Sequence, residues 1–326
     1  MKRLFLTILL LIITVASTAC GSPADEELTP VIFLLDWVPN TNHAGIFVAQ
    51  EKGYFEEAGL AVEIVQPGEV YPEAAVASGT ADFGISFQEQ VTLARAEDVP
   101  IVSIAAVIQH NTSGFASAAD LNVTSPADFE GLRYGAWGSP FEDPTLEGLM
   151  DCAGADFNKL EIVNTGWADP LALIAEDQID IAWIFYGWQG FQAKQQGIDL
   201  NVVMMEDYFD CIPDYYTPVV IASEDTIANR PKVVDAFMEA LSRGYDFAIK
   251  NPDEAADILV DAVPELDAEL VKASQNWLSE YYQAEASRWG EQKESVWQDY
   301  TDWMVENGVL ANPISASDAF TNGFLP

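Results

Sequence analysis

Short apolar runs alternate along this chain with stretches of helical period, and the alternation is played out twice. Val31-Ile32-Phe33-Leu34-Leu35 is a compact apolar run closed by Pro39, as a buried strand would be. Ala44 to Lys52 has helical spacing, turning Ile46, Phe47, Val48 and Ala49 toward a core before Gly53 stops it. Further strands are predicted at Ala61 to Val65, Phe83 to Ser86 and Ile101 to Ile108, with helices at Pro72 to Ala77 and Glu89 to Ala96 between them. A second series opens near Ser125-Pro126-Ala127-Asp128-Phe129, where Ser and Asp suit a helix cap. Tyr134 to Trp137, Glu161 to Val163 and Ile181 to Phe185 read as strands, alternating with helices that run to Met150, over Leu171 to Ala175 and over Phe191 to Gln196. After Thr217-Pro218 the chain returns to a strand at Val219 to Ala222, and from Arg230 onward it is mostly helical. Strands alternating with helices predict parallel sheets in an α/β fold.

The amino end breaks this pattern. Met1-Lys2-Arg3 is basic, Leu4 to Val15 is apolar, and Ala16-Ser17-Thr18-Ala19 leads into Cys20. The run is short for a bilayer span and has the layout of a secretory signal over residues 1–19. A Cys directly after small residues resembles a bacterial lipobox, in which Cys20 becomes the lipidated amino terminus; Ser17 departs from the usual Leu. Residues 20–30 then form a polar linker.

Composition narrows the function. The 326 residues suit two domains, and 49% hydrophobic content fills their cores. With 14 Lys+Arg against 52 Asp+Glu the net charge is −38, which argues against nucleic acid as a partner. Cys152 and Cys211 either form a disulfide closing a loop of about 60 residues, on the order of 4 kcal/mol in the chain-entropy picture, or remain two buried thiols. There is no CxxC, and His43 and His110 stand far apart, so no metal site is expected.

Two segments are specific. Leu35-Asp36-Trp37-Val38-Pro39-Asn40-Thr41-Asn42-His43-Ala44-Gly45 runs on to Gln50-Glu51-Lys52-Gly53-Tyr54-Phe55, and Ala77-Ser78-Gly79-Thr80-Ala81-Asp82-Phe83-Gly84 follows. With Asp180-Ile181-Ala182-Trp183 and Tyr215-Tyr216-Thr217-Pro218 they resemble the substrate-binding proteins of ABC importers in the thiamine-precursor (NMT1/THI5-like) superfamily. The resemblance implies a type II periplasmic-binding fold: two parallel-sheet lobes joined by a two-strand hinge. Lobe one would hold residues 31–118 and 219–326, and lobe two residues 119–218. It also implies a monomer without cofactor or catalytic residue, lipid-anchored outside the cytoplasmic membrane, passing a small molecule to its permease.

Ligands of such sheets lie beyond the carboxyl ends of the strands. The expected ligand residues are Trp37, Asn40 and His43 after the first strand, Gln88 and Asn111 after later ones, and Trp137 and Ser139 with free N–H groups before a helix. Tyr186 and Trp188 complete the set. No Lys or Arg occurs in these loops, so the cargo is expected to be uncharged or cationic. Pyrimidine-binding members of the superfamily carry Glu where this chain has Tyr186, which favours riboflavin over formylaminopyrimidine. The synthase branch, which consumes its own His with a pyridoxal cofactor, has a Cys-rich cluster where this chain reads Asp210-Cys211-Ile212-Pro213-Asp214-Tyr215; binding without catalysis is therefore expected.

Overall fold

The computed structural model describes residues 27–68 and 70–326. The signal at residues 1–19 and the lipidation position Cys20 lie outside the described residues. Ten strands are present: β1 Thr29–Leu34, β2 Leu60–Val65, β3 Phe83–Ser86, β4 Ile101–Ala106, β5 Ser113–Ala118, β6 Arg133–Ala136, β7 Glu161–Asn164, β8 Ile181–Phe185, β9 Leu200–Met204 and β10 Val219–Ser223. They form two five-stranded sheets, ordered β2-β1-β3-β10-β4 and β7-β6-β8-β5-β9.

The sheets are mixed, not wholly parallel. β1 runs parallel to β2 and β3, while β10 is antiparallel to β3 and β4. In the second sheet β6 is parallel to β7 and β8, and β5 is antiparallel to β8 and β9. The reversed strands are the two that the chain enters after leaving the other sheet. Ser113 at the start of β5 pairs with Phe185 at the end of β8, and Val219 at the start of β10 pairs with Ser86 at the end of β3. A chain passing between the sheets thus enters at the edge where its neighbours finish, and must run against them.

β5 and β9 do not stand out in the sequence. Ser113-Gly114-Phe115-Ala116-Ser117-Ala118 is small because the strands close in: a Cβ on Gly114 would sit 2.7 Å from the Val203 carbonyl oxygen. Ile101 to Ile108 ends as a strand at Ala106, where the chain turns toward the crossing.

Phe237 on the helix Pro231–Lys250 centres the first core, its ring lying 4.0 Å from that of Phe83 and 5.4 Å from that of Phe55. Phe115, Phe129, Tyr134, Leu149 and Ile181 build the second. The carboxyl-terminal segment divides between them, although the sequence reading gave it wholly to the first lobe. The helix Glu294–Glu306 buries Trp297 beside Val219 and Ile221, yet sends Tyr300, Trp303 and Met304 into the second core. Cys152 and Cys211 are bonded, with Cα atoms 5.9 Å apart. Among the described residues no helix is long and apolar enough to cross a membrane.

Candidate ligand cleft between the two sheets

The carboxyl ends of β3 in one sheet and β8 in the other come together. Phe87, after β3, and Phe185, ending β8, stack at 6.3 Å with rings 15° from parallel, so the two halves meet here.

The loop after β1 is built by its own polar groups. The Asn40 side chain accepts the Asn42 N–H at 2.9 Å and donates to the Val38 carbonyl at 3.0 Å. Its backbone N–H donates to His43 Nδ1 at 3.2 Å. Nε2 therefore carries the ring proton and donates it to Asp36 Oδ1, 2.7 Å away. Asn40 and His43 are buried, and every side-chain nitrogen and oxygen they carry has a partner within this loop. His43 instead fixes Asp36.

Asp36 is one of two carboxylates at this edge. Glu73, at the start of the helix Pro72–Ala77, accepts the Ser86 hydroxyl at the end of β3. Burial raises the Glu73 carboxyl above its ordinary range despite that hydrogen bond, and the charge of Asp36 adds to the rise. Deeper lies Glu89, in the first turn of the helix Gln88–Ala96. Burial pushes it up to about 8, with Glu73 contributing, and its Oε2 has no partner among the described residues. Around this acidic floor stand exposed apolar side chains, Trp37 at 43% and Tyr71 at 68% exposure.

The second sheet supplies an aromatic wall. Trp167, 77% exposed after β7, stacks on Trp137 after β6 at 6.5 Å and 27°. Trp137 in turn leans on buried Trp183 at 5.4 Å, and the Trp183 indole N–H donates to Ser113 at 2.7 Å.

The N–H groups before the helix Glu142–Cys152 are not free, contrary to the sequence reading. Those of Trp137, Gly138 and Ser139 all donate to the Glu142 carboxylate, at 3.1, 2.7 and 2.6 Å. The Tyr134 hydroxyl adds a fourth bond at 2.7 Å. The Ser139 hydroxyl has no partner among the described residues.

Gln88, Tyr186 and Trp188 are engaged by contacts within the protein, while the buried Asn111 side-chain NH2 has no partner among the described residues. Gln88 is buried, accepting the Tyr216 N–H at 2.9 Å and donating to the Val296 carbonyl at 3.1 Å, so it braces the second crossing. Asn111 Oδ1 accepts both the N–H and the hydroxyl of Ser113 at the first crossing. Tyr186 and Trp188 belong to a turn, Tyr186–Gly190, that docks on the other half. The Tyr186 ring meets Trp277 edge-on at 5.4 Å, and Trp188 packs on the first core. Ser274 on the helix Ala268–Leu278 donates to the Gly187 carbonyl. A cavity of about 480 Å³ opens on this flank, lined by Tyr186, Lys194, Met204, Glu206, Trp277 and Tyr281. It is separate from the acidic floor.

Of the nine expected residues, Trp37 is exposed next to Asp36, and Trp137 stacks on the exposed Trp167. Asp36, Glu73 and Ser86 were not among them. Asp36 lies inside the motif Leu35 to Gly45 and at the end of a strand, which is signal enough. Glu73 had none, since an acidic residue in a first helical turn is ordinary.

Two α/β sheets that meet at carboxyl ends of strands, with two chain crossings between them, are the architecture of periplasmic solute-binding proteins. The sequence matches the family described as NMT1/THI5 like over residues 40–255, and the chain belongs to that family. The formylaminopyrimidine-binding protein of Halalkalibacterium halodurans is 30% identical over 97% of this chain and 97% of its own length. Riboflavin-binding protein RibY of Chloroflexus aurantiacus is 26% identical over 95% of this chain and 90% of its own. A 4-amino-5-hydroxymethyl-2-methylpyrimidine phosphate synthase of Legionella pneumophila is 24% identical over 91% and 92%. The alkanesulfonate-binding protein SsuA from Xanthomonas axonopodis pv. citri has the same fold, with TM-score 0.69 and 13% identity, covering 90% of this chain and 99% of that one. The chain is a solute-binding protein of the ABC-importer type.

Proposed function

We propose that this protein captures a flat heterocycle rich in N–H donors, a thiamine pyrimidine precursor of the formylaminopyrimidine type, and delivers it to an ABC permease. The sequence signal at Cys20 would tether it by lipid to the outer face of the cytoplasmic membrane. The observation that carries the reading is the pair Asp36 and Glu73 at the cleft edge of the first sheet, in loops without a cation. An aminopyrimidine offers an exocyclic NH2 and a protonatable ring nitrogen, which a carboxylate accepts with charge-assisted geometry. The carboxylate missing at Tyr186 would thus be supplied from the opposite side. The stacked Trp137 and Trp167 suit the ring faces.

Riboflavin is the second reading, favoured by the breadth of aromatic surface at Trp37, Trp137 and Trp167. Its isoalloxazine edge carries a single N–H between two carbonyls, and those carbonyls would face carboxylate lone pairs. Calorimetric titration of the mature protein with both compounds separates the readings. Formylaminopyrimidine should bind at about micromolar Kd or tighter, with riboflavin at least about 100-fold weaker, a gap of about 2.7 kcal/mol. The reverse order would hand the site to riboflavin, and binding of neither would remove both.

A further inference from the structure

Three successive backbone N–H groups, those of Trp137, Gly138 and Ser139, converge on one point at the carboxyl end of β6. Gly138 has φ +98°, the sign of a backbone folded to turn consecutive N–H groups inward. The point also faces the amino end of an 11-residue helix, whose dipole favours negative charge. Such a place takes phosphate or sulfonate oxygens readily. Here it is already filled. The Glu142 carboxylate, with the residue 1% exposed, accepts all three N–H groups and the Tyr134 hydroxyl.

We infer that Glu142 is a specificity-determining residue: a built-in anion that closes this nest to phosphate, sulfonate and other oxyanions, so that the cleft selects unphosphorylated cargo. A phosphorylated ligand would have to expel a buried carboxylate holding four hydrogen bonds, and then share the cleft with Asp36 and Glu73. The burial and the neighbouring negative charge agree with the Tyr134 hydroxyl, which is raised well above its ordinary range, first by burial and then by Glu142. The inference rests on the reading of the cleft as the cargo site, and it would hold for either cargo.

The variants are Glu142→Ala, which empties the nest, and Glu142→Gln, which keeps its volume but not its charge. Thermal melts are recorded with inorganic phosphate against sodium chloride at matched ionic strength. Wild type should show no phosphate-specific change. E142A should gain about 2–4 °C in Tm once phosphate exceeds its Kd about tenfold, and E142Q a smaller gain in the same direction. If E142A is recovered folded only in phosphate and unfolds on dialysis, that is the same rescue. An equal rise in wild type, or none in either variant, overturns the inference. A second arm compares formylaminopyrimidine with a phosphate ester of the same ring system. Wild type should prefer the unphosphorylated compound by at least about 100-fold, and the variants should narrow that ratio. If the cargo is not a pyrimidine, neither compound binds, but the phosphate response of the variants remains.

Discussion

His110 Nδ1 lies 2.5 Å from Asp214 Oδ2, a contact that joins the two stretches by which the chain passes between its sheets. Asp214 Oδ1 also accepts the Asn111 N–H at 3.0 Å, and His110 Nε2 reaches Glu285 at 2.8 Å. The Asp214 hydrogen bond, more than any other cause, raises His110 to about 9. Glu285 is lowered to about 2, chiefly by Lys293 and then by His110. A raised folded-state pKa gives stability that is complete below the unfolded value near 6.5 and fades as pH rises toward 9. The lowered Glu285 gives stability that is present above about 4.5 and lost toward pH 2. Histidine 110 is 35% exposed, so solvent screens the effect. The Tm advantage of wild type over His110→Gln should therefore be largest near pH 5–6 and shrink between about pH 7 and 9. A constant difference across that range would contradict it.

Glu89 has the opposite character. It is raised to about 8 by burial, so the folded protein keeps a proton there that the unfolded chain gives up near 4.5. It costs stability increasingly as pH climbs from about 4.5 to 8. Glu89→Gln should stabilise at pH 8, on the order of a few kcal/mol, and be close to neutral at pH 4. Urea melts at the two pH values measure this, and a destabilised variant at pH 8 would show that the carboxylate is used.

The cleft carboxylates should act through donors on the cargo. Asp36→Asn and Glu73→Gln are each expected to weaken cargo binding by about 1–3 kcal/mol. His43→Asn should weaken it less, because His43 acts by holding Asp36. If His43→Asn is the most damaging of the three by titration, the histidine touches the ligand itself.

The tryptophans divide by position. Trp167→Ala should lower cargo affinity by about 1–3 kcal/mol and leave Tm unchanged, since the ring is exposed. Trp188→Ala should lower Tm as well as affinity, because Trp188 is wedged against the core of the other half. Equal Tm values for the two variants would place Trp188 elsewhere.

The disulfide spans 59 residues of sequence. Reduction or Cys152→Ser should destabilise by about 4 kcal/mol in the chain-entropy picture, read as a fall in Tm with and without dithiothreitol. No change would mean that the reduced chain keeps the loop closed by packing alone.

Periodicity made much of the fold legible, and it failed where neighbours overrode it. The strands β1, β3 and β8 are dense in Val, Ile, Phe and Ala and announce themselves. β5 does not, because close approach to β9 demanded Gly114 and other small residues. The same logic governs the cleft. A Trp at a strand end, such as Trp137, is readable as a wall. Whether Asn40, Gln88 or Asn111 turns its amide to a ligand or to its own backbone depends on partners distant in sequence, as Gln88 with Val296 shows. Glu142 was hidden for the same reason: a first-turn acid looks like a helix cap, and its partners emerge only when the loop is folded over it.

The helix Glu294–Glu306 touches both cores, and this has a bearing on the order of events during synthesis. A chain made or exported amino end first brings out β5 to β9 as one continuous block, but Tyr300, Trp303 and Met304 come last. The first sheet likewise waits for β10 before β3 and β4 are joined. Each half is completed by a segment that follows the other in sequence. One late helix thus ties the completion of the second core to that of the first, so a lesion at Trp297 or Tyr300 would be felt in both halves.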